Sequence, residues 1–334
     1  MKDLLGKFVR FLLYLLFNLS FPLIKPLLRY IKFFDFLMVV YPGKKEDITS
    51  YLLSEKILKW IPKLSIIGLI LGKKGRRGLV IAIKNPIETI LDGKSEENLN
   101  SLRNFATSIR VDKIAMAGRL PHLVLEDKSS NSLFVKGKRG TIFAILENVR
   151  EVMEKEGLSS STTKIGVLGT GFIGMALLTQ LQKSGFDTVI GVDPRLKQPR
   201  IGEQVKIGSN PSLLSECDLV VVLTPKGDDI KDAIPHLKEG VIVVDDTHPS
   251  ISKTNLLRIK SRRGKTYKVA LTLNGTKFVP SLAGYINGKL LPGCVIEVLV
   301  LNGSKHQIIT QDEFNKGARE MEFRVSLLDL TQFG

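Results

Sequence analysis

Cysteine is scarce in this 334-residue chain, which has only Cys217 and Cys294. Two cysteines cannot build a disulfide framework, and no zinc-ligand spacing surrounds them. The chain therefore reads as a protein of a reducing compartment with no structural metal. Acidic residues are also short: 33 Asp and Glu stand against 49 Lys and Arg, a formal net charge of +16. Such an excess points to an anionic partner, whether nucleic acid, a membrane surface or an acidic protein. Zinc-finger spacing and the aromatic signature of an RNA-binding sheet are both missing, which sets nucleic acid aside. Also missing is an uninterrupted apolar run of ~20 residues, the length a spanning helix needs. Composition is otherwise ordinary, 43% hydrophobic and 25% charged. That excludes wholesale disorder and suits two domains.

Glycine is present where it matters most. An apolar run carrying Ile165, Val167 and Leu168 meets Gly169-Thr170-Gly171-Phe172-Ile173-Gly174, and helical spacing opens at Met175. Strand, glycine turn and helix in that order form a dinucleotide-binding arrangement. Gly169 allows the turn, Gly171 lets backbone approach a pyrophosphate, and Gly174 lets helix pack on strand. The anion would sit at the helix N-terminus. The next strand, Asp187–Asp193, ends in an acid nineteen residues past Gly174. Asp193 suits the ribose hydroxyls of NAD, whereas Arg195 would suit a 2′-phosphate. NAD(H) is favoured and NADP(H) stays open.

Further buried strands are expected at Asp218–Thr224, Gly240–Asp246 and Tyr267–Leu273. Ligands of open α/β sheets bind beyond strand carboxyl ends, which directs attention to Thr224, Pro225 and residues 245–249. The expected fold is α/β: a Rossmann-type doubly wound parallel sheet plus a smaller N-terminal α/β domain. In the latter, strands at Phe36–Tyr41, Ser65–Leu71, Gly78–Ile83 and Val111–Ala117 alternate with helices at Ile48–Trp60 and Glu97–Arg110. A long amphipathic helix spans Gly137–Gly157, and the polar stretch 157–163 reads as a linker. Thr310 and Glu313 form a capping box opening a last helix over 311–328. The expected division is 1–35, 36–158, 159–290 and 291–334.

No charged residue lies between Arg10 and Lys25, and Pro22 interrupts that stretch. Lys2, Lys7, Arg10, Lys25, Arg29 and Lys32 interleave with Phe, Tyr and Leu. Residues 1–35 thus read as one or two amphipathic helices lying in a membrane interface, drawn to anionic lipid. The competing readings are a helical pair packed on the body or on a second subunit, and an export signal. The cleavage site an export signal needs is poorly supplied by Asn18–Pro22.

Cys294 follows Pro292-Gly293 and opens an apolar helical run. A cysteine in a first turn has a lowered pKa and serves as a nucleophile, although a free cysteine is more often a small buried hydrophobe. Glu297 lies at i+3 on the same face, placed to orient water or a substrate amide. His248, at a strand end, is the first candidate for general acid and His122 the second. His236 and His306 read as surface residues, and Cys217 as core.

Ile114–Gly118, Gly137–Thr141, Gly169–Gly174, Val243–Pro249, Cys294–Glu297 and Thr310–Gly317 follow one another in a telling order. Over residues 110–325 that order resembles the cyanobacterial long-chain acyl-(acyl-carrier-protein) reductases and their shikimate-dehydrogenase-like relatives. The resemblance implies a nucleophilic Cys294 in a Cys-x-x-Glu helix. This sequence departs from the family at four points. The 137–141 turn lacks its Asn, Asp193 stands where those NADPH enzymes carry a basic residue, the stretch between the cysteine helix and the last helix is shorter than theirs, and the first forty residues have no counterpart. The main expectation is reduction of a long-chain acyl thioester, of acyl carrier protein or CoA, to an aldehyde through a Cys294 acyl-enzyme. The alternative is an NAD-dependent dehydrogenase of a small hydroxy, keto or amino acid without a covalent step. A third reading is a membrane-tethered dinucleotide sensor. The expected location is cytoplasmic, peripheral or monotopic at a membrane, with self-association left open.

Overall fold

The computed structural model describes residues 2–42, 61–91, 95–124, 132–196, 200–201, 205–282, 287–304, 308 and 310–333. The helix expected over Ile48–Trp60, along with Lys197 and His306, lies outside these. Two compact units divide the chain: Met1–Gly140 with Thr272–Arg324, and Thr141–Leu271 with Val325–Gly334.

The first unit opens with helix α1 (Lys2–Ile31). Strands β1 (Phe36–Val40), β2 (Leu64–Leu71) and β3 (Gly78–Ile83) follow, then helices α2 (Ile87–Leu91) and α3 (Ser95–Ser108). Strands β4 (Ile114–Met116) and β5 (Phe134–Val135) join them in a sheet ordered β13-β2-β3-β1-β4-β5, where β13 is Lys277–Val279. Strands β3, β1, β4 and β5 run parallel, while β2 pairs antiparallel with β3 on one side and with β13 on the other. Leu37, Val39, Ile81, Ile83, Leu102 and Ile114 are among the residues of its core. Runs such as Phe36–Val40 are apolar without alternation because helices or chain cover both faces of a parallel sheet.

Helix α1 is one continuous helix through Pro22 and Pro26, not a pair broken at Pro22. Each proline forfeits a ladder hydrogen bond, and packing of the inner face on the core offsets the loss. Phe17, Phe21 and Leu28 pack on that core, and Phe21 stacks on Phe105 with ring centroids 5.4 Å apart. Gly6–Ile31 is long and apolar enough to cross a membrane by length and composition, with a mean hydropathy of 1.7 over an 18-residue window.

The second unit takes most of helix α4 (Lys138–Glu156) and an eight-stranded sheet. Its parallel strands are β6 (Ile165–Leu168), β7 (Val189–Val192), β9 (Val205–Gly208), β10 (Leu219–Val222), β11 (Ile242–Asp245) and β12 (Lys265–Lys268). Two short antiparallel strands, β8 (Arg200–Ile201) and β14 (Leu328–Asp329), close the edges. Spatial order is β14-β12-β11-β10-β6-β7-β9-β8. The six parallel strands therefore stand as 3-2-1-4-5-6, the doubly wound Rossmann order. Helices α5 (Gly174–Lys183) and α6 (Lys253–Ser261) are its crossovers.

The units part at Gly140, within the first turn of α4, rather than in the polar stretch 157–163. Ile142, Ile145, Val149 and Val152 of α4 share one core with Ile165, Val167 and Val189, so burial assigns this helix to the second sheet. The strand expected over Tyr267–Leu273 is instead β12. Helices α7 (Gly293–Gly303) and α8 (Gln311–Glu320) follow in the first unit. The Thr310–Glu313 capping box is present. Helix α8 stops short of 328 because Glu322 takes a left-handed φ of 60° and the chain returns to β14.

Candidate dinucleotide-binding site

The switch point of a doubly wound sheet lies between strands 1 and 4, here β6 and β10, and ligands bind in the crevice beyond their carboxyl ends. The glycine turn leaves β6 at that point. Gly169 has φ +101°, and a Cβ there would lie 2.9 Å from the Leu223 carbonyl and 3.0 Å from the Thr224 nitrogen. Glycine at 169 is thus required twice, by backbone conformation and by contact with the segment leaving β10. Gly174 is tighter still, since its Cβ would stand 2.0 Å from the Gly169 oxygen. Gly171 differs: the nearest atom to a Cβ there is Arg195 Nη2 at 3.8 Å. The middle glycine faces space that a ligand's phosphates can enter. Helix α5 opens with no side chain capping its first turn, which leaves its positive end to an anion.

Asp193, at the end of β7, is buried. One carboxylate oxygen accepts the Thr170 N–H at 3.2 Å and Arg195 Nη2 at 2.9 Å. The other accepts Arg195 Nε at 3.0 Å and the Arg195 backbone N–H at 3.1 Å. The Arg195 guanidinium holds the Asp193 carboxyl below the usual carboxylate range. Acid and base, read from sequence as competing cofactor signals, are in fact one ion pair. It ties the end of β7 to the glycine turn. Thr224 and Pro225 follow β10 in the same crevice, with the Thr224 hydroxyl donating to the Lys226 carbonyl at 2.8 Å.

Beyond β11 and β12 lies a charged group that sequence reasoning named only in part. Asp245 is fully buried. Its carboxylate accepts the Thr247 N–H at 2.8 Å, the Thr247 hydroxyl at 2.5 Å and the Ile251 N–H at 3.3 Å. Lys268, the last residue of β12, places Nζ 3.3 Å from the same carboxylate and also donates to the Thr247 carbonyl. Burial raises the carboxyl of Asp246 to about 7, with Lys268 opposing the shift and Asp245 adding to it. Lys268 was missed. Its only sequence signal is a lysine closing an otherwise ordinary strand. His248 is exposed just past these residues, as are His122 and His236 elsewhere.

The cysteine candidates fare differently from expectation. Cys294 does lie in the first turn of α7, but only 5% of it is exposed. Burial pushes its thiol up to about 12 rather than down. A Cβ on Gly137 would come within 2.9 Å of the Cys294 Cβ, so the turn before α4 covers this residue. Glu297 is buried too, and its carboxylate accepts the backbone N–H groups of Arg139 at 2.8 Å and Gly140 at 3.2 Å. It caps α4, a use that leaves those two acceptor positions filled. Cys217 is core, its thiol likewise pushed up to about 12 by burial. Cys294 and Glu297 belong to the first unit, His248 and the cofactor residues to the second. Among the described residues no group of His, Cys, Asp and Glu is placed to hold a metal ion.

Residues 143–245 match the NAD binding domain of the D-isomer specific 2-hydroxyacid dehydrogenases. That segment carries the glycine turn, Asp193 and β10, and it is an NAD-binding Rossmann domain. No curated protein matches the chain by sequence. Shikimate 5-dehydrogenase from Thermus thermophilus, solved with shikimate, is similar in structure with a TM-score of 0.43 at 15% identity, over 85% of this chain and 98% of that one. D-lactate dehydrogenase with NAD+ from Lactobacillus jensenii gives 0.36 at 11% identity, over 86% and 93%. A D-isomer specific 2-hydroxyacid dehydrogenase from Xanthobacter autotrophicus, with NADPH and MES, gives 0.30 at 22% identity over 40% of this chain. The match spans 65% of that enzyme, just under two thirds of its length.

Proposed function

We propose that this chain is an NAD(P)-dependent oxidoreductase that interconverts a small hydroxy acid and the corresponding keto acid by direct hydride transfer. One observation carries the reading: the glycine turn lies at the switch point of a 3-2-1-4-5-6 sheet, inside the segment that matches a 2-hydroxyacid dehydrogenase NAD-binding domain. When bound, the nicotinamide supplies or accepts the hydride. The Gly171 end of the turn and the N-terminus of α5 receive the pyrophosphate, the Thr170 N–H being held by Asp193, and Asp193 with Arg195 faces the adenine-side ribose. The proton that accompanies the hydride falls to the group beyond β11 and β12, where Asp246 carries a carboxyl that titrates near neutrality and Lys268 a half-buried ammonium. His248 is the exposed alternative for that proton.

The test has two stages. NADH and NADPH are titrated against protein fluorescence, and a panel of 2-hydroxy, 2-keto and cyclic hydroxy acids is then screened for cofactor turnover. Failure to bind either cofactor would sink the reading. Reduction of a long-chain acyl thioester through Cys294 is the second reading, favoured by the exposed apolar face of α1. It has less support, because a buried thiol with a raised pKa is a poor nucleophile. Aldehyde formed from an acyl-CoA by wild type and lost in Cys294→Ala, with cofactor binding intact, would restore it and bring an acyl carrier protein or CoA thioester back as substrate. Under either reading, α1 attaches the enzyme to the cytoplasmic face of a bilayer.

A further inference from the structure

Thirteen large apolar residues are exposed among those described, and ten of them lie on α1. Phe8, Leu12, Leu16, Leu19, Leu23, Leu27 and Tyr30 follow one another at steps of four, four, three, four, four and three. Eleven residues per three turns is 3.67 per turn, close to the 3.6 of a straight helix. The row therefore runs almost parallel to the helix axis for about 33 Å. Val9, Ile24 and Ile31 widen it beyond the two-position seam of a coiled coil. A straight, broad stripe fits a flat apolar medium better than a second helix.

The opposite face is committed to protein. Tyr14 Oη lies 3.3 Å from Ser65 Oγ. Asn18, near the middle of α1, donates to the Ile66 carbonyl at 2.8 Å and accepts the Ile66 N–H at 3.0 Å. Phe17, Phe21 and Leu28 pack on the core of the first unit. A spanning helix would put Asn18 near the bilayer centre with β2 still bonded to it, which the hydrocarbon does not allow. Composition alone suggests a span because both faces are apolar, one against the core and one outward. Charge agrees with a surface position. No acidic residue lies between Asp3 and Asp35, whereas Lys7, Arg10, Lys25, Arg29 and Lys32 do. Such a segment is attracted to anionic headgroups.

We propose that α1 lies in the plane of an anionic lipid surface, its Phe8–Tyr30 row sunk into the acyl region, and does not cross the bilayer. The inference rests on the bilayer attachment proposed above and adds its geometry. The test floats the purified full-length chain with sealed vesicles of phosphatidylcholine and phosphatidylglycerol, and with vesicles of phosphatidylcholine alone. Wild type should float with the mixed vesicles and more weakly with the neutral ones. Leu19→Glu/Leu23→Glu should cut the bound fraction by about tenfold or more. Its urea midpoint should not move, since both side chains are exposed.

Orientation is read with Gly6→Cys and Lys32→Cys, each labelled from outside by a membrane-impermeant maleimide. The two native cysteines are buried and stay silent. Labelling of both positions before detergent supports the in-plane helix. Protection of one end would overturn that geometry and leave attachment standing. Wild type failing to float with either vesicle would overturn both, and a dimer abolished by Leu19→Glu/Leu23→Glu would then name a second copy of the chain as the occupant.

Discussion

Arg195 clasps Asp193 through Nε and Nη2, at 3.0 and 2.9 Å, and Asp193 in turn holds the amide of Thr170. Cofactor choice at this site is thus a property of the pair. Asp193→Ala should weaken NADH binding by about tenfold, the loss of one charge-assisted contact, and improve NADPH relative to NADH. Arg195→Ala should do the reverse, sparing NADH. Fluorescence titration with both cofactors checks each. The Asp193 carboxyl is held low by Arg195, so what it contributes is present above the ordinary carboxylate range and is lost as pH falls through its depressed value. Cofactor binding should stay flat from neutral pH down to that range.

Gly171 and Gly174 separate fold from function. Gly174→Ala drives a Cβ into the Gly169 carbonyl at 2.0 Å, and it should cost about 1–3 kcal/mol or more in urea unfolding. Gly171→Ala meets nothing closer than 3.8 Å. Its unfolding midpoint should match wild type while cofactor affinity drops. Equal affinity in Gly171→Ala and wild type would show that the pyrophosphate does not rest on this turn.

Both thiols should be inert in the folded protein. Ellman's reagent at pH 8 should titrate Cys217 and Cys294 only as urea unfolds the chain. Their raised pKa values mean that the stability they contribute is complete below the ordinary thiol range and is lost as pH climbs towards about 12. Rapid native labelling of Cys294 would contradict its burial.

Glu297→Ala strips an acceptor from two amides, the part-buried one of Arg139 and the buried one of Gly140. The expected loss is about 1–3 kcal/mol, partly recovered in Glu297→Gln, whose amide oxygen still accepts. Circular dichroism during urea unfolding reads both.

Lys268→Met leaves the Asp245 carboxylate buried without its cation and should cost about 3–5 kcal/mol, with the double variant Lys268→Met/Asp245→Asn milder than the single. For catalysis, the rate of hydride transfer should change through a pH near 7, where Asp246 titrates. Asp246→Asn should flatten that profile and His248→Gln should preserve it. A profile flattened by His248→Gln alone would give the proton to the histidine.

What the sequence disclosed was whatever is local. The glycine turn is six contiguous residues with a strand before and a helix after, so its place and the doubly wound fold could be read directly. Asp193 and Arg195 were both named, but their pairing depends on side-chain direction, which spacing does not carry. Cys294 misled because a first-turn position lowers a thiol pKa only where the thiol is exposed, and the cover over it comes from Gly137, more than 150 residues away. Lys268 was invisible for a related reason: β11 and β12 bring it to Asp245 across 23 residues. The long apolar helix was legible as a helix, yet which of its faces met protein was not. Asn18 gave no signal of its role.

That asparagine has a consequence for the sheet. In the first unit β13 pairs with β2 at Leu69–Leu71, so among the described residues the flank of β2 that includes Ile66 meets no further strand. Asn18 supplies Ile66 with one acceptor and one donor, the same exchange a neighbouring residue makes in an antiparallel ladder. A helix thereby stands in for a strand and blunts an edge that would otherwise template pairing between chains. Trimming α1 to gain solubility would uncover that edge, trading a greasy surface for a sticky one.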